Sequence, residues 1–168
     1  VLQTTDGGYI AIGRGHELAT FLIRTNTQGD TLWTKSISLS DTTDTEAFCL
    51  TLTNDGGYVI SGSISSVGLL MKLDDDGNQQ WLQTYDERIQ GHLNASDGGY
   101  VIITYQNTDQ GRIADGIIKT DSYGNKLWGN LLETSLYFNY YSFAYTTDGG
   151  VIIVGQTPVP ERDPILIK

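Results

Sequence analysis

Short apolar runs recur along this chain, each opened by a knot of turn residues and each too brief for an ordinary helix. The runs Tyr9 to Gly13, Tyr58 to Gly62, Tyr100 to Tyr105 and Val151 to Gly155 are apolar at nearly every position. That is the pattern of strands buried on both faces, not of strands with one wet face. Each run follows Asp-Gly-Gly, at Asp6, Asp55, Asp97 and Asp148. Such pairs suit tight hairpins, where primed turns demand φ > 0, so the segment before each, such as Phe48 to Thr53, is predicted to be its partner strand.

A second marker follows each run. Leu22 to Trp33 (LIRTNTQGDTLW), Leu70 to Trp81 (LMKLDDDGNQQW) and Ile117 to Trp128 (IIKTDSYGNKLW) align without a gap over twelve positions, and a further copy opens at Leu166-Ile167-Lys168. The Asp-Gly-Gly intervals are 49, 42 and 51 residues, the Trp intervals 48 and 47. A basic residue at fixed spacing before each Trp (Arg24, Lys72, Lys119), an Asx-x-x-Gly-Asx turn and the Trp itself make this a true internal repeat. The turn fits a longer hairpin closed by a left-handed glycine.

Each unit therefore holds four short antiparallel strands in a period of about 40 to 50 residues, the signature of a propeller blade. The fold class expected is all-β: a β-propeller of four-stranded antiparallel blades, about three and a half of them, approximately 1–40, 41–87, 88–134 and 135–168. A β-sandwich would not repeat a four-strand unit with the same Trp, and a β-helix would have shorter coils. The last unit has no Trp strand, and Val1 opens inside a first strand. The expectation is a segment, cut or processed at its start, of a larger propeller of roughly six to eight blades, or one completed by another copy; a self-contained four-bladed ring is the alternative.

Physical roles follow for the recurring residues. Trp33, Trp81 and Trp128 are expected to pack blade against blade, because a lone sheet cannot bury both faces. With strands alternating in direction, Arg24, Lys72 and Lys119 come to the same end as the Asp-Gly-Gly turns, and each is expected to pair with its Asp (Asp6, Asp55, Asp97) across the second strand.

The DGGY element followed by L-I-K-x-D-x-x-G-N-x-x-W resembles the propeller repeats of many secreted and cell-surface proteins of bacteria and archaea. It is more distantly similar to the quinoprotein blade. The resemblance covers essentially the whole chain and implies an extracellular, cell-surface or periplasmic location; it does not extend to quinoprotein chemistry, since those enzymes commonly carry an adjacent cysteine pair and a calcium site. This chain has one cysteine, Cys49, read as a buried, inert thiol. No cofactor is expected.

Composition narrows partners further. A net charge of −10 speaks against nucleic acid and anionic membrane surfaces, which require a basic footprint. No apolar run approaches the roughly 18 residues needed to span a bilayer, so no membrane insertion is expected. Twenty glycines and ten tyrosines against three prolines and one methionine agree with many turns between β-rich segments.

Candidate chemistry is sparse. Asp74-Asp75-Asp76-Gly77-Asn78 carries clustered carboxylates but lacks the bidentate Glu of a calcium loop, and a plain hairpin turn is expected. His16 and His92 have no ligand-spaced neighbours, and no nucleophile elbow, P-loop or zinc-hydrolase motif occurs. Asn94-Ala95-Ser96 is a formal glycosylation sequon lying just before a tight turn.

Connections between second and third strands (Arg14 to Thr20, Ser63 to Gly68, Gln106 to Asp115, Gln156 to Pro164) vary in length and content, as do those between units. They lie opposite the recurring turns, and variable loops on a rigid frame are where recognition resides. Tyr137, Phe138, Tyr140 and Tyr141 form the densest aromatic cluster there, a candidate surface for a partner or sugar, or a seal on the last unit. The function expected is a non-catalytic propeller mediating protein or glycan interaction. A glycan-processing enzyme with loop-borne acidic residues and a structural repeat module of a surface assembly are the alternatives.

Overall fold

The computed structural model describes residues 1–14, 19–38, 45–65, 67–108, 111–132, 139–156 and 164–167. All regular structure in them is strand. The first sheet holds β1 (Leu2–Gln3), β2 (Tyr9–Arg14), β3 (Thr20–Thr25) and β4 (Thr31–Ile37); the second holds β5 (Thr45–Leu52), β6 (Tyr58–Ile64), β7 (Val67–Leu73) and β8 (Gln79–Tyr85). The third holds β9 (Arg88–Asn94), β10 (Tyr100–Thr108), β11 (Gly111–Thr120) and β12 (Lys126–Leu132), the fourth β13 (Asn139–Tyr145), β14 (Val151–Gln156) and β15 (Pro164–Ile167). Within each sheet the strands lie in chain order and pair antiparallel. These are consecutive meander blades, and the protein is an all-β propeller of about three and a half of them.

Alternate residues of each central strand face opposite neighbours. Ile10 and Leu22 of the first sheet meet Tyr58, Ile60, Met71 and Leu73 of the second. Val59 and Leu70, on the reverse side of the second sheet, meet Tyr100, Ile102 and Ile118 of the third. Val101 and Ile103 then meet Ile153 of the fourth. The largely apolar second strands follow from this: every residue of Tyr58–Ser63 is buried, with Tyr58 and Ile60 toward the first sheet and Val59 toward the third, so no solvent-facing side exists to alternate with.

Two local expectations change. The Asp-Gly-Gly turns are not two-residue primed turns. In the first, the Gly7 N–H donates to the Thr4 carbonyl and the Thr4 N–H to the Gly8 carbonyl, both at 2.9 Å, and only Gly7 has positive φ. That is the longer hairpin with a left-handed glycine, the same geometry as at Asn26 to Asp30. Two connections between second and third strands are shorter than expected: Ile64 of β6 pairs with Val67 of β7, with Ser65 at φ 54, and Thr108 of β10 pairs with Gly111 of β11. Strand pairing continues through the polar residues Gln106, Asn107 and Thr108, because ladder bonds need only backbone.

Candidate functional site

The recurring turn is held from three sides. Asp6 Oδ1 accepts from the Thr4 hydroxyl at 2.6 Å and from the Gly8 N–H at 3.2 Å, while Arg24 Nη2 lies 2.7 and 2.6 Å from its two oxygens. Asp55 repeats this with Thr53 (2.5 Å), the Gly57 N–H (3.2 Å) and Lys72 Nζ (2.9 Å). Asp97 takes the Gly99 N–H at 3.0 Å and Lys119 at 2.8 Å. Asp148 accepts from the Thr146 hydroxyl; the equivalent basic residue, Lys168, lies outside the described residues. The Thr hydroxyl first and the cation second hold the Asp6 and Asp55 carboxyls at about 2. Asp97 is also lowered, chiefly by Lys119.

The two glycines of the motif have separate causes. Gly56 supplies the left-handed φ of 85° and has open space beside it. Gly57 is needed for close approach: a methyl group there would run into the Leu73 carbonyl oxygen and Lys72 Nζ. The end of the third strand and its basic side chain thus lie directly on the turn backbone.

The second turn explains its own motif. Asp74 accepts the Asn78 backbone N–H at 2.7 Å and its side-chain amide at 3.0 Å. Asp121 does the same with Asn125, at 2.8 Å for both. These bonds lower both carboxyls. The carboxylate that resembled a calcium ligand is engaged in closing its hairpin.

Seams between sheets repeat too. Trp33 meets Tyr58 edge-on, with ring centroids 6.3 Å apart, and a methyl group on Gly77 would come within 2.7 Å of the indole. Trp81 meets Tyr100 at 5.9 Å, and the same construction on Gly124 falls 3.0 Å from the ring. Two residues beyond each Trp, Lys35 donates to Asn78 Oδ1 at 2.6 Å and Gln83 to Asn125 Oδ1 at 3.2 Å. Each indole is therefore roofed by the glycine turn of the following sheet. Arg24 adds a further tie, its Nε donating to the Tyr58 hydroxyl at 3.1 Å.

For the third indole, the glycine equivalent to Gly77 and Gly124 would fall five positions after Lys168, outside this sequence. Trp128 is 50% exposed, and no glycine turn covers it among the described residues. Val151 stands where Tyr58 and Tyr100 stand in the earlier units. A cleft of about 800 Å³ results, lined by Trp128, Ile117, Val101, Tyr145 and Val151 and rimmed by Asp97 and Lys119. The corresponding cleft at the first seam is about 420 Å³ and counts Asp75 and Asp76 of the roofing turn among its lining residues.

The open cleft lies beside the recurring turns, not on the variable-loop side. Tyr137 and Phe138, the aromatic residues singled out there, lie outside the described residues, and Tyr140 and Tyr141 are placed in β13 by their backbone alone.

One polar cluster carries no signal in the sequence. His92, 1% exposed, sits between Thr51 Oγ1 (2.7 Å) and Ser61 Oγ (2.8 Å) at the second seam. Thr51 gives its hydroxyl proton to Asn94 Oδ1 at 2.8 Å. The ring proton therefore sits on Nε2, donating to Thr51, and Nδ1 accepts from Ser61. Burial pushes the imidazole down to about 3, so it is neutral. Asn94 Nδ2, the sequon amide, donates to the Leu52 carbonyl at 2.5 Å. Cys49 donates to the His92 carbonyl at 3.6 Å, and burial raises its thiol pKa.

No protein-family model matches this chain, and no curated protein matches it. Among solved structures it is similar to the one titled "Streptogramin B lyase structure", at TM-score 0.42 and 11% identity, over 99% of this chain and 70% of that one.

Proposed function

We propose that the chain is a non-catalytic propeller scaffold, working at the cell surface, in the periplasm or outside the cell, that binds protein or glycan. The observation that carries this reading is the cleft between the third and fourth sheets, where a half-exposed indole and the exposed Tyr145 ring share a pocket with a polar rim. Aromatic faces beside hydrogen-bonding groups are what a sugar ring or a peptide requires. Asp6, Asp55, Asp74, Asp97 and Asp121 are engaged in the turn-closing bonds that hold them below their ordinary range, so these five serve the frame that presents the cleft. The enzyme alternative and the assembly-module alternative draw no comparable support.

The test is to titrate the chain with chitohexaose and cellohexaose, following tryptophan emission, and to assay the same mixtures for reducing ends. Emission is expected to shift in the parent and not in Trp128→Ala, with no reducing ends released. Release of reducing ends would overturn the non-catalytic reading. Emission unmoved by these sugars would overturn glycan recognition at this cleft.

A further inference from the structure

The first two seams carry equivalent grooves beside the recurring turns, and they differ in charge. Asp6, Arg24 and Tyr58 wall the first, and their counterparts Asp55, Lys72 and Tyr100 wall the second. At the second, Asp55 is matched by Lys72, and the turn that overlies the groove adds the neutral Ser122. At the first, Asp6 is matched by Arg24, and the overlying turn adds Asp75 and Asp76. Two carboxylates there are in excess, and the groove is larger, about 420 Å³ against 240 Å³.

Packing does not use this pair. Asp74 closes the hairpin with Asn78, whereas Asp75 and Asp76 are exposed and make no side-chain hydrogen bond or ion pair among the described residues. The turn does not require them either, since the same two positions hold Thr27 and Gln28 in the first sheet and Ser122 and Tyr123 in the third. Both carboxylates share the groove with Leu32, Leu52 and the half-buried Trp33 indole.

We propose that this first-seam groove is a second binding site, which takes an arginine side chain from a partner polypeptide. The carboxylates of Asp75 and Asp76 accept the forked donors of the guanidinium, and the aliphatic stem covers Leu32 and Leu52. Excess charge gathered on one turn suits one compact planar cation; a polyamine, with its charges strung along a chain, needs carboxylates spaced apart. No group of three metal-ligating side chains forms among the described residues, which favours an organic cation over a tightly held metal ion. The site goes beyond the reading above and does not depend on the Trp128 cleft.

The test titrates the whole isotope-labelled chain with the peptide GSGRGSG and follows the three indole N–H signals by NMR. The Trp33 signal is expected to move saturably, half-saturating at about 1 mM or below, while those of Trp81 and Trp128 stay in place. Citrulline in place of the peptide's arginine keeps the shape and loses the charge, and is expected to weaken binding about tenfold or more. Asp75→Thr with Asp76→Gln, which installs the residues that the first sheet carries at those turn positions, should weaken it equally. Asp30→Asn with Asp86→Asn removes the same charge outside the groove and should leave binding within about twofold of the parent. Circular dichroism checks the fold of both double variants, and the citrulline peptide tests the parent itself. An equal response to the citrulline peptide, equal shifts of all three indoles, no saturation up to about 10 mM, or spermidine binding as tightly as the arginine peptide would overturn the proposal. A silent Trp33 beside a Trp128 that responds to the oligosaccharides sinks this site and leaves the glycan reading standing.

Discussion

The indole of Trp81 lies so close to Gly124 of the next sheet that a methyl group built on that glycine would sit 3.0 Å from the ring. Trp33 bears the same relation to Gly77; Trp128 bears it to no described residue. Truncation should therefore separate otherwise equivalent tryptophans. Trp81→Ala is expected to cost about 3 kcal/mol or more, the lower end of the range for a large core side chain. Trp128→Ala, half-exposed already, should cost about 1 kcal/mol. Urea denaturation of the two variants measures the difference, and equal losses would contradict the roofed and unroofed assignment.

The paired glycines of the turn should respond in opposite ways to asparagine. Gly56 needs only its left-handed φ, which asparagine tolerates better than alanine, so Gly56→Asn is expected to be milder than Gly56→Ala. Gly57 has no room for any Cβ beside Leu73 and Lys72. Gly57→Ala is expected to cost about 1 to 3 kcal/mol and Gly57→Asn more. Thermal midpoints of the four variants check the order.

Acid should act in two stages. His92 has a folded pKa of about 3 against an ordinary 6.5, so its contribution is complete above pH 6.5 and is lost as pH falls toward 3. Asp6 and Asp55, at about 2 against 3.8, contribute fully above pH 3.8 and lose their share only below it. Between pH 6.5 and 4 the histidine alone of these three makes stability fall, by at most about 1.4 kcal/mol per pH unit. His92→Gln, which keeps hydrogen-bonding capacity but cannot titrate, should flatten that upper segment and leave the lower one. An unchanged slope would place the pH sensitivity elsewhere.

Tyr58 should report on Arg24. Tyr58→Phe removes the acceptor of the buried Arg24 Nε and leaves a charged donor unsatisfied, an expected loss of about 1 to 3 kcal/mol. The double variant Arg24→Met with Tyr58→Phe should lose less than the sum of the singles, and strict additivity would show that the bond contributes nothing.

Architecture was legible in the sequence because each seam reuses the same residues. Asp-Gly-Gly, the basic residue and the Gly-x-x-x-Trp spacing repeat in register, and contacts within a unit follow from strand alternation alone. The Asp6–Arg24, Asp55–Lys72 and Asp97–Lys119 proximities could be placed that way. What lies across a seam could not. The Thr51–His92–Ser61 chain joins three strands of two sheets, and its members sit 10 and 31 residues or more apart with no repeated counterpart. The turn type escaped because a single left-handed glycine followed by a close-packed one reads the same in sequence as a primed pair.

Because every roofing contact among the described residues joins one sheet to the next, cohesion here is passed hand to hand. The second and third sheets, clasped from both sides, should then be the last to admit deuterium at their amides. Protection is expected to fall away outward from β6 and β10 toward β2 and β14, as in a short one-dimensional chain whose ends fray before its middle.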